Sequence, residues 1–333
     1  MYYDLVEKIY RKIAIYANFP LTPTPGYIKF FNEIFTNNDY ICVDVNNPKS
    51  AEFAISFNHT ANNLIKIIDS GIPIKNRILV MLECKQILPE MHRDEVLSQY
   101  GIILSPSLYW AKSFNPLFFN YPFHLDTPLF LTPISLRRYK FGLIQRNNFS
   151  CVKGELYTLR RQLIKASQGQ IEIRGEGWNK PRIYQVINYI KLIRSYRNIL
   201  KINEIKLIPR YLVKNANYLP VRDKQKFLES VRVAIIIENA ADYISEKLFD
   251  CFRAGTVPVY VGPSLDVFGI PEDCVITAES NAKNIIHIMN HISEFDLVKI
   301  RENGSRFLHG NASKWSEENA MIGLARSIIH AIE

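Results

Sequence analysis

The chain has 333 residues, of which 47% are hydrophobic and 22% are charged, with ordinary numbers of glycine and proline. This composition excludes a disordered or fibrous protein and is sufficient for two globular domains. The net charge of +9 favours an anionic ligand or surface. However, the sequence has neither basic runs with interleaved glycine and aromatic residues nor zinc-finger or helix-turn-helix spacing, so we expect no nucleic-acid partner.

The cysteines and the N-terminal sequence indicate the cellular compartment. The five cysteines have neither C-x-x-C nor metal-ligand spacing, and several lie in apolar runs, so they are predicted to be reduced core residues. The N-terminal sequence lacks the basic cap and long apolar core of a signal peptide, and no segment reaches the length of a transmembrane segment. We therefore expect a cytoplasmic protein, either free or attached peripherally to the inner face of a membrane.

The first part of the chain alternates short apolar runs with a helical pattern. Strands are predicted at 11–17, 40–45, 52–57, 77–82 and 100–104, and a helix at 61–70. A loop at 18–27 contains three prolines and a glycine and is wide enough to line a cleft. This order of strands and helix is typical of a parallel α/β sheet.

Glu83 is the candidate catalytic residue of this part. It follows a buried strand and precedes a loop at 84–92 that contains Pro89. Open α/β sheets expose reacting groups at the carboxyl ends of their strands. A partly buried carboxylate there could take the proton of a substrate hydroxyl. The spacing equally allows a glutamate that caps a helix or pairs with Arg77 or Arg93.

Residues 105–138 are rich in proline and aromatic side chains and are predicted to form a linker. A second domain is predicted to begin near Arg138. Its predicted strands are 139–145, 171–174, 234–237, 257–261 and 274–278, and its predicted helices are 152–167, 182–201, 223–230, 281–291, 295–308 and 313–332. Arg160 and Arg161 lie in the first of these helices, and we expect one of them on a solvated face.

The segment 234–264, AIIIENAADYISEKLFDCFRAGTVPVYVGPS, carries the strongest signal of the chain. An apolar β-branched run predicts a buried strand, Ser245 can cap the following helix, and Gly255 ends that helix before a second strand. This is a strand-helix-strand crossover. Folds built from such crossovers bind ligands where the strand turns into the helix.

Two charged residues at the predicted helix start, Glu246 and Lys247, fit a nucleotide. The amides and dipole of a helix start favour an anionic group such as a diphosphate, and Lys247 adds a positive charge. A carboxylate at Glu246 can accept hydrogen bonds from the vicinal hydroxyls of a ribose. The alternative is a solvated first turn, and charge placement by itself favours that alternative.

This segment resembles the donor-binding motif of the α-1,3/1,4-fucosyltransferases, glycosyltransferase family 10. The motif runs F-E-N-S, a spacer, D-Y-[IV]-[ST]-E-K, an apolar helix and A-G-x-x-P-V-x-x-G-P-S. The matching positions are Glu238, Asn239, Asp242, Tyr243, Ser245, Glu246, Lys247, Ala254, Gly255, Pro258, Val259, Gly262, Pro263 and Ser264. Ile237 and Ala240 replace Phe and Ser of the motif. Other nucleotide-sugar transferases share a looser E-x-x-E or E-K arrangement.

The resemblance implies a GT-B fold, in which two Rossmann-like α/β domains face a cleft. The domains would be 1–137 on the acceptor side and 138–312 on the nucleotide-sugar side, with a C-terminal helix at 313–333 that crosses back to the first domain. The implied activity is inverting transfer from GDP-fucose to an oligosaccharide or glycolipid acceptor. No D-x-D motif stands in a convincing position, so we expect no obligatory metal or other cofactor.

The resemblance also assigns site residues. The implied donor contacts are Glu238, Asn239, Tyr243, Glu246 on the ribose and Lys247 on the diphosphate. Family 10 holds the diphosphate with a further arginine in an S-N-x-x-S-x-x-R pattern.

In this sequence Ser150 and Lys153 fit the spacing of that pattern, and Arg160 lies further along the chain. Lys153 or Arg160 is therefore expected to take the role of the arginine. Glu83 matches the family glutamate that ends an N-terminal strand, through a weaker likeness of MLECKQILP and YGIILSP, and would act as the base. Two alternatives stay open: a GT-B transferase for another nucleotide sugar, and a non-catalytic nucleotide- or glycan-binding protein.

Overall fold

The structure, a computed structural model, describes residues 10–17, 31, 33–43, 51–107, 109–123, 125, 132–207, 212–213 and 223–333. The chain divides into two compact units, Met1–Pro122 with Lys314–Glu333, and Phe123–Ser313. The loop expected at 18–27 lies outside the described residues. Each unit contains one parallel β-sheet over its described ranges.

The first unit has a sheet of order β2-β1-β3-β4-β5-β6. Its strands are β1 (Arg11–Ala17), β2 (Tyr40–Val43), β3 (Phe53–Phe57), β4 (Arg77–Val80), β5 (Ile102–Ser105) and β6 (Leu117–Phe118), and its helices include α1 (Ala61–Asp69) and α2 (Asp94–Leu97). All neighbouring strands are parallel, which confirms the predicted parallel α/β sheet. The apolar strands β3 and β4 are buried along their whole length.

The second unit has a sheet of order β11-β10-β9-β7-β8. Its strands are β7 (Tyr139–Ile144), β8 (Ile171–Arg174), β9 (Val231–Ile237), β10 (Val257–Val261) and β11 (Ile276–Thr277). Its helices are α3 (Tyr157–Ala166), α4 (Arg182–Tyr196), α5 (Lys224–Glu229), α6 (Glu246–Ala254), α7 (Ala282–His291) and α8 (Glu294–His309). The predicted crossover is confirmed as β9-α6-β10, and Gly255 ends α6 with φ +58°.

The C-terminal helix α9 (Glu317–Ile332) belongs to the first unit. Its Leu324 and Ile328 are buried in one apolar cluster with Ile13, Ile55 and Ile78 of the first sheet. Because these residues are apolar and fully buried together, the helix covers a face of that sheet. The chain therefore returns to its first unit at its end.

Two predictions were wrong in their local structure. The helix predicted at 152–167 begins only at Tyr157, because Gly154 has φ +83° and Val152 pairs with Ile205 in an isolated bridge. Glu155 then caps the helix by accepting from the amide of Thr158 at 2.9 Å. The segment 105–138 is also more than a linker, since it supplies the edge strand β6.

Four of the five cysteines are buried, which agrees with their prediction as core residues: Cys84, Cys151, Cys251 and Cys274. Among the described residues, no helix has the length and apolar character needed to cross a membrane.

Candidate functional site

Glu238 organises the corner between β9 and α6. Its side chain is fully buried and accepts from the Ser245 amide at 3.1 Å, the Ser245 hydroxyl at 2.6 Å and Lys247 Nζ at 3.4 Å. Its own amide donates to the carbonyl of Val261 at the end of β10, at 2.8 Å. A buried carboxylate is stable only with such partners. Glu238 therefore fixes the start of α6 to the ends of two neighbouring strands.

Ser245 occupies the N-cap position of α6, but its side chain does not cap the helix, contrary to the prediction. The hydroxyl donates to Glu238 and accepts from Lys247 Nζ at 2.7 Å. A cap would require the Ser245 oxygen to accept from an amide of the first helical turn, but this oxygen accepts from the Lys247 ammonium instead. The positive end of the helix dipole thus remains without this cap.

Lys247 and Glu246 have different surroundings although they are adjacent. The Lys247 side chain is only 13% exposed, because it lies against Glu238 and Ser245. The Glu246 side chain is 54% exposed and accepts from Lys224 Nζ at 3.2 Å. The alternative of a solvated first turn is therefore correct for the side chain of Glu246 and wrong for that of Lys247.

Glu246 is charged at neutral pH. Neighbouring protein atoms partly desolvate its carboxylate, which raises the pKa, but the positive charges of Lys247 and Lys224 and the hydrogen bonds that the carboxylate accepts outweigh this and lower the pKa to about 2. The corner thus presents a carboxylate that accepts hydrogen bonds beside a lysine that donates them.

The segment before α3 lies against this corner. The amide of Leu156 donates to the carbonyl of Asn239 at 3.1 Å, and Glu155 pairs with Ala240 in an antiparallel bridge. Arg160 is buried and donates to the carbonyl of Ile237 at 2.6 Å and to Asn239 Oδ1 at 2.9 Å. The structure therefore brings Arg160 and Asn239 into direct contact.

Arg161 is also buried, so the expectation that one of the two arginines is solvated was wrong. Arg161 donates to the carbonyl of Asn148 at 2.7 Å and to Thr158 Oγ1 at 3.1 Å. Its guanidinium lies 4.0 Å from the centre of the Phe149 ring. Both arginines thus satisfy backbone carbonyl groups, Arg160 that of Ile237 and Arg161 that of Asn148.

A cavity of about 700 Å³ lies in the second unit beside this segment. Its lining includes Lys153, Glu155, Arg161, Tyr189 and Lys206. Lys206 Nζ pairs with Glu155 Oε1 at 2.8 Å. Because Glu155 is the one acidic residue among the described residues of the lining, Lys153 and Arg161 give the cavity wall a net positive charge. Its volume is typical of small-molecule sites. Of the predicted donor residues, Lys153 lines this cavity, while Tyr243 is buried at the corner itself.

Glu83 lies in the first unit, three residues beyond the end of β4, and its Oε2 atom is buried. Its loop is held from two sides. Asn58 Oδ1, at the end of β3, accepts from the amide of Leu82 at 2.8 Å. His92 Nε2 donates to the carbonyl of Glu83 at 2.9 Å.

Several polar residues around these positions were not predicted from the sequence. Asn58 and His59 directly follow the apolar strand β3, and the ring of His59 contacts the hydroxyl of Tyr100 at 3.1 Å. The available signal was their position directly after an apolar strand, since Glu83 was singled out by its place at the end of such a strand. Tyr189 and Lys206 carried no comparable signal, because each is an isolated residue in a mixed segment.

Comparison with solved structures establishes the fold. HepE of Anabaena, in complex with UDP and glucose, is 10% identical with a TM-score of 0.59, and the match covers 96% of this chain and 100% of HepE. Sucrose-phosphate synthase of Thermosynechococcus elongatus is 11% identical with a TM-score of 0.53, covering 96% of this chain and 100% of that one. The chain has the GT-B fold.

Sequence comparisons add no family to this GT-B fold. No family model matches the chain, and no curated protein does. An α1,3-fucosyltransferase structure is 13% identical with a TM-score of 0.47, covering 90% of this chain and 82% of its own. That likeness is too weak to indicate a donor.

His92 makes the stability of the GT-B chain depend on pH. Burial lowers the pKa of its imidazole to about 4, against its hydrogen bond to Glu83 and together with the charge of Lys85. In the unfolded chain the pKa of the same imidazole is about 6.5. The unfolded state therefore binds more protons than the folded state between about pH 4 and 6.5. We expect the free energy of unfolding to fall by about 2 to 3 kcal/mol as the pH drops from 6.5 to 4, and the loss due to this group to be complete at about pH 3, where the folded-state imidazole is also protonated.

Urea unfolding at several pH values measures this loss. His92→Gln, whose amide can still donate to Glu83, should lack this part of the slope, whereas His330→Gln on the exposed side of α9 should keep it. Equal slopes in wild type and His92→Gln would contradict the expectation.

Proposed function

We propose that the chain is an inverting glycosyltransferase that transfers fucose from GDP-fucose to a hydroxyl of an oligosaccharide or glycolipid. The observation that carries this proposal is the corner at the start of α6, where buried Glu238 holds Ser245 and Lys247 together. The sequence at this corner is the segment that resembles the fucosyltransferase motif. A fixed lysine at the positive end of a helix dipole suits a diphosphate.

The corner residues take separate roles in this proposal. Lys247 and the helix start would hold the diphosphate, and Glu246 would accept hydrogen bonds from the ribose hydroxyls. Asn239 and Tyr243 would border the base or the sugar. Glu238 would contribute by fixing Lys247.

Two further basic residues belong to the proposed donor site. Lys153 lines the neighbouring cavity, which supports it as the second contact to the phosphates. Arg160 would act on the donor through Asn239, whose side-chain oxygen it binds.

The proposed reaction is a single displacement. The acceptor oxygen attacks the anomeric carbon on the face opposite the diphosphate, the bond from that carbon to the diphosphate oxygen breaks, and GDP leaves. Glu83 takes the proton of the acceptor hydroxyl. Negative charge grows on the diphosphate as the bond breaks, so the lysines stabilise the transition state more than the bound donor.

A UDP-sugar is the second candidate donor. HepE was solved with UDP and glucose, and its fold is like that of this chain. The corner residues would bind either nucleotide, because the ribose and the diphosphate are common to both.

Thermal unfolding in the presence of GDP-fucose, UDP-glucose and a CMP-sugar tests the proposal. At a concentration of about a hundred times Kd, GDP-fucose should raise Tm by roughly 5 °C. Lys247→Ala should abolish the rise, whereas Lys226→Ala, which changes a solvent-exposed lysine of α5, should preserve it. A rise in Tm with UDP-glucose alone would make a UDP-sugar the donor instead of GDP-fucose. No rise in Tm with any of the three would contradict a nucleotide-sugar transferase.

A further inference from the structure

The helix α4 exposes apolar side chains on the side opposite its buried face. Gln185 and Tyr189 are its buried residues. Ile183, Ile187 and Ile190 are all exposed to solvent. At about 100° per residue, these three isoleucines lie within an arc of about 60° on the other side of the helix. The apolar stripe therefore does not serve the core of the second unit.

The exposed stripe is surrounded by positive charge. Between residues 177 and 203 the sequence contains no acidic residue. The basic residues of this stretch are all exposed: Lys180, Arg182, Lys191, Arg194, Arg197 and Lys201. Arg194 continues the isoleucine stripe by one turn. The exposed Ile202 beside Lys201 extends the same mixture beyond the helix.

Isoleucine and positive charge together point to one kind of partner. Packing against another part of the protein core would not require the charges. Single-stranded RNA is bound mainly by stacking of successive bases on several aromatic rings, whereas Tyr184 is the one exposed aromatic residue of α4. An anionic bilayer satisfies both features, because its headgroups attract lysine and arginine while its acyl boundary accepts apolar side chains. We infer that the exposed face of α4 docks the second unit on the surface of an anionic lipid bilayer.

This inference stands whether or not the chain transfers a sugar, since its test needs only the protein and lipid. The purified full chain is sedimented with vesicles of phosphatidylcholine containing 30 to 40 mol% phosphatidylglycerol, and with vesicles of phosphatidylcholine alone. We expect binding to the anionic vesicles at about 0.1 M salt, and weak binding to neutral vesicles or at 1 M salt, where the Debye length falls to about 3 Å.

A matched pair of variants separates the stripe from general hydrophobicity. Ile187→Ser with Ile190→Ser changes side chains that are 42% and 44% exposed, and should lower the vesicle partition coefficient about tenfold. Ile65→Ser with Ile68→Ser on α1 changes side chains that are 54% and 44% exposed, and should leave it unchanged. Unchanged Tm values in both variants would show that neither disturbs folding.

The inference is overturned if wild type does not sediment with anionic vesicles, or if the two double variants bind them equally well. Fluorescence anisotropy with a labelled oligouridine of about 20 nucleotides completes the test. Binding to this RNA without binding to anionic vesicles would indicate a nucleic acid as the partner of α4 and would also overturn the inference.

Discussion

Replacing Glu238 with glutamine is expected to lower the free energy of unfolding by about 3 kcal/mol, because it removes one partner of a buried ion pair. The Lys247 ammonium, 3.4 Å from the Glu238 carboxylate and only 13% exposed, would lose its counter-charge. The two hydrogen bonds from Ser245 would also weaken, since an amide oxygen is a poorer acceptor than a carboxylate. We expect Kd for GDP to rise about a hundredfold, because Lys247 is no longer fixed. Urea unfolding and calorimetric titration measure the two effects.

Two further variants isolate the cause. Glu294→Gln removes a carboxylate that pairs with Arg232 but is 70% exposed, so it should change stability by less than about 0.5 kcal/mol. The double variant Glu238→Gln with Lys247→Met removes both charges and should regain most of the lost stability, without regaining GDP binding. If Glu238→Gln were as stable as wild type and bound GDP equally well, the role of Glu238 would be wrong.

Replacing Glu83 with glutamine is expected to reduce kcat about a thousandfold while Kd for GDP stays within a factor of about two. A positioned general base contributes on the order of 10² to 10⁴ in rate, and glutamine keeps the size of the side chain but cannot take a proton. The measurement is initial rate against GDP-fucose, with the acceptor that the wild type uses best on a glycan array.

Glu95→Gln is the matched control for this variant. The Glu95 side chain is 76% exposed and pairs with Arg93 on the surface of the same unit, so its loss should leave kcat unchanged. Full activity of Glu83→Gln would remove Glu83 as the base. Another polar residue at the strand ends of the first unit, such as His59, would then have to be tested.

The β9-α6-β10 crossover could be predicted from sequence because each of its steps has a local cause. The β-branched run at 234–237 favours a buried strand, and Gly255 allows the left-handed conformation that ends α6. The strands of the first unit could also be predicted from sequence, because each is a short apolar run of its own. The position of α9 was predicted from the resemblance to GT-B enzymes and not from its own pattern.

The contacts at the corner could not be predicted because they depend on how separate elements of the fold pack against each other. Ser245 has the local properties of a helix cap, yet a buried carboxylate seven positions earlier takes its hydroxyl. Charged residues such as Arg160 and Arg161 in a predicted helix favour a solvated face. They are buried because Ile237 and Asn148, at 77 and 13 positions away, present carbonyls that need donors.

A crystal structure of the chain soaked with GDP tests the central claim most directly. The proposal predicts a diphosphate at the start of α6 within hydrogen-bonding distance of Lys247 Nζ, and a ribose whose hydroxyls contact the Glu246 carboxylate. An empty corner, or GDP bound elsewhere with both side chains turned away from it, would contradict the claim.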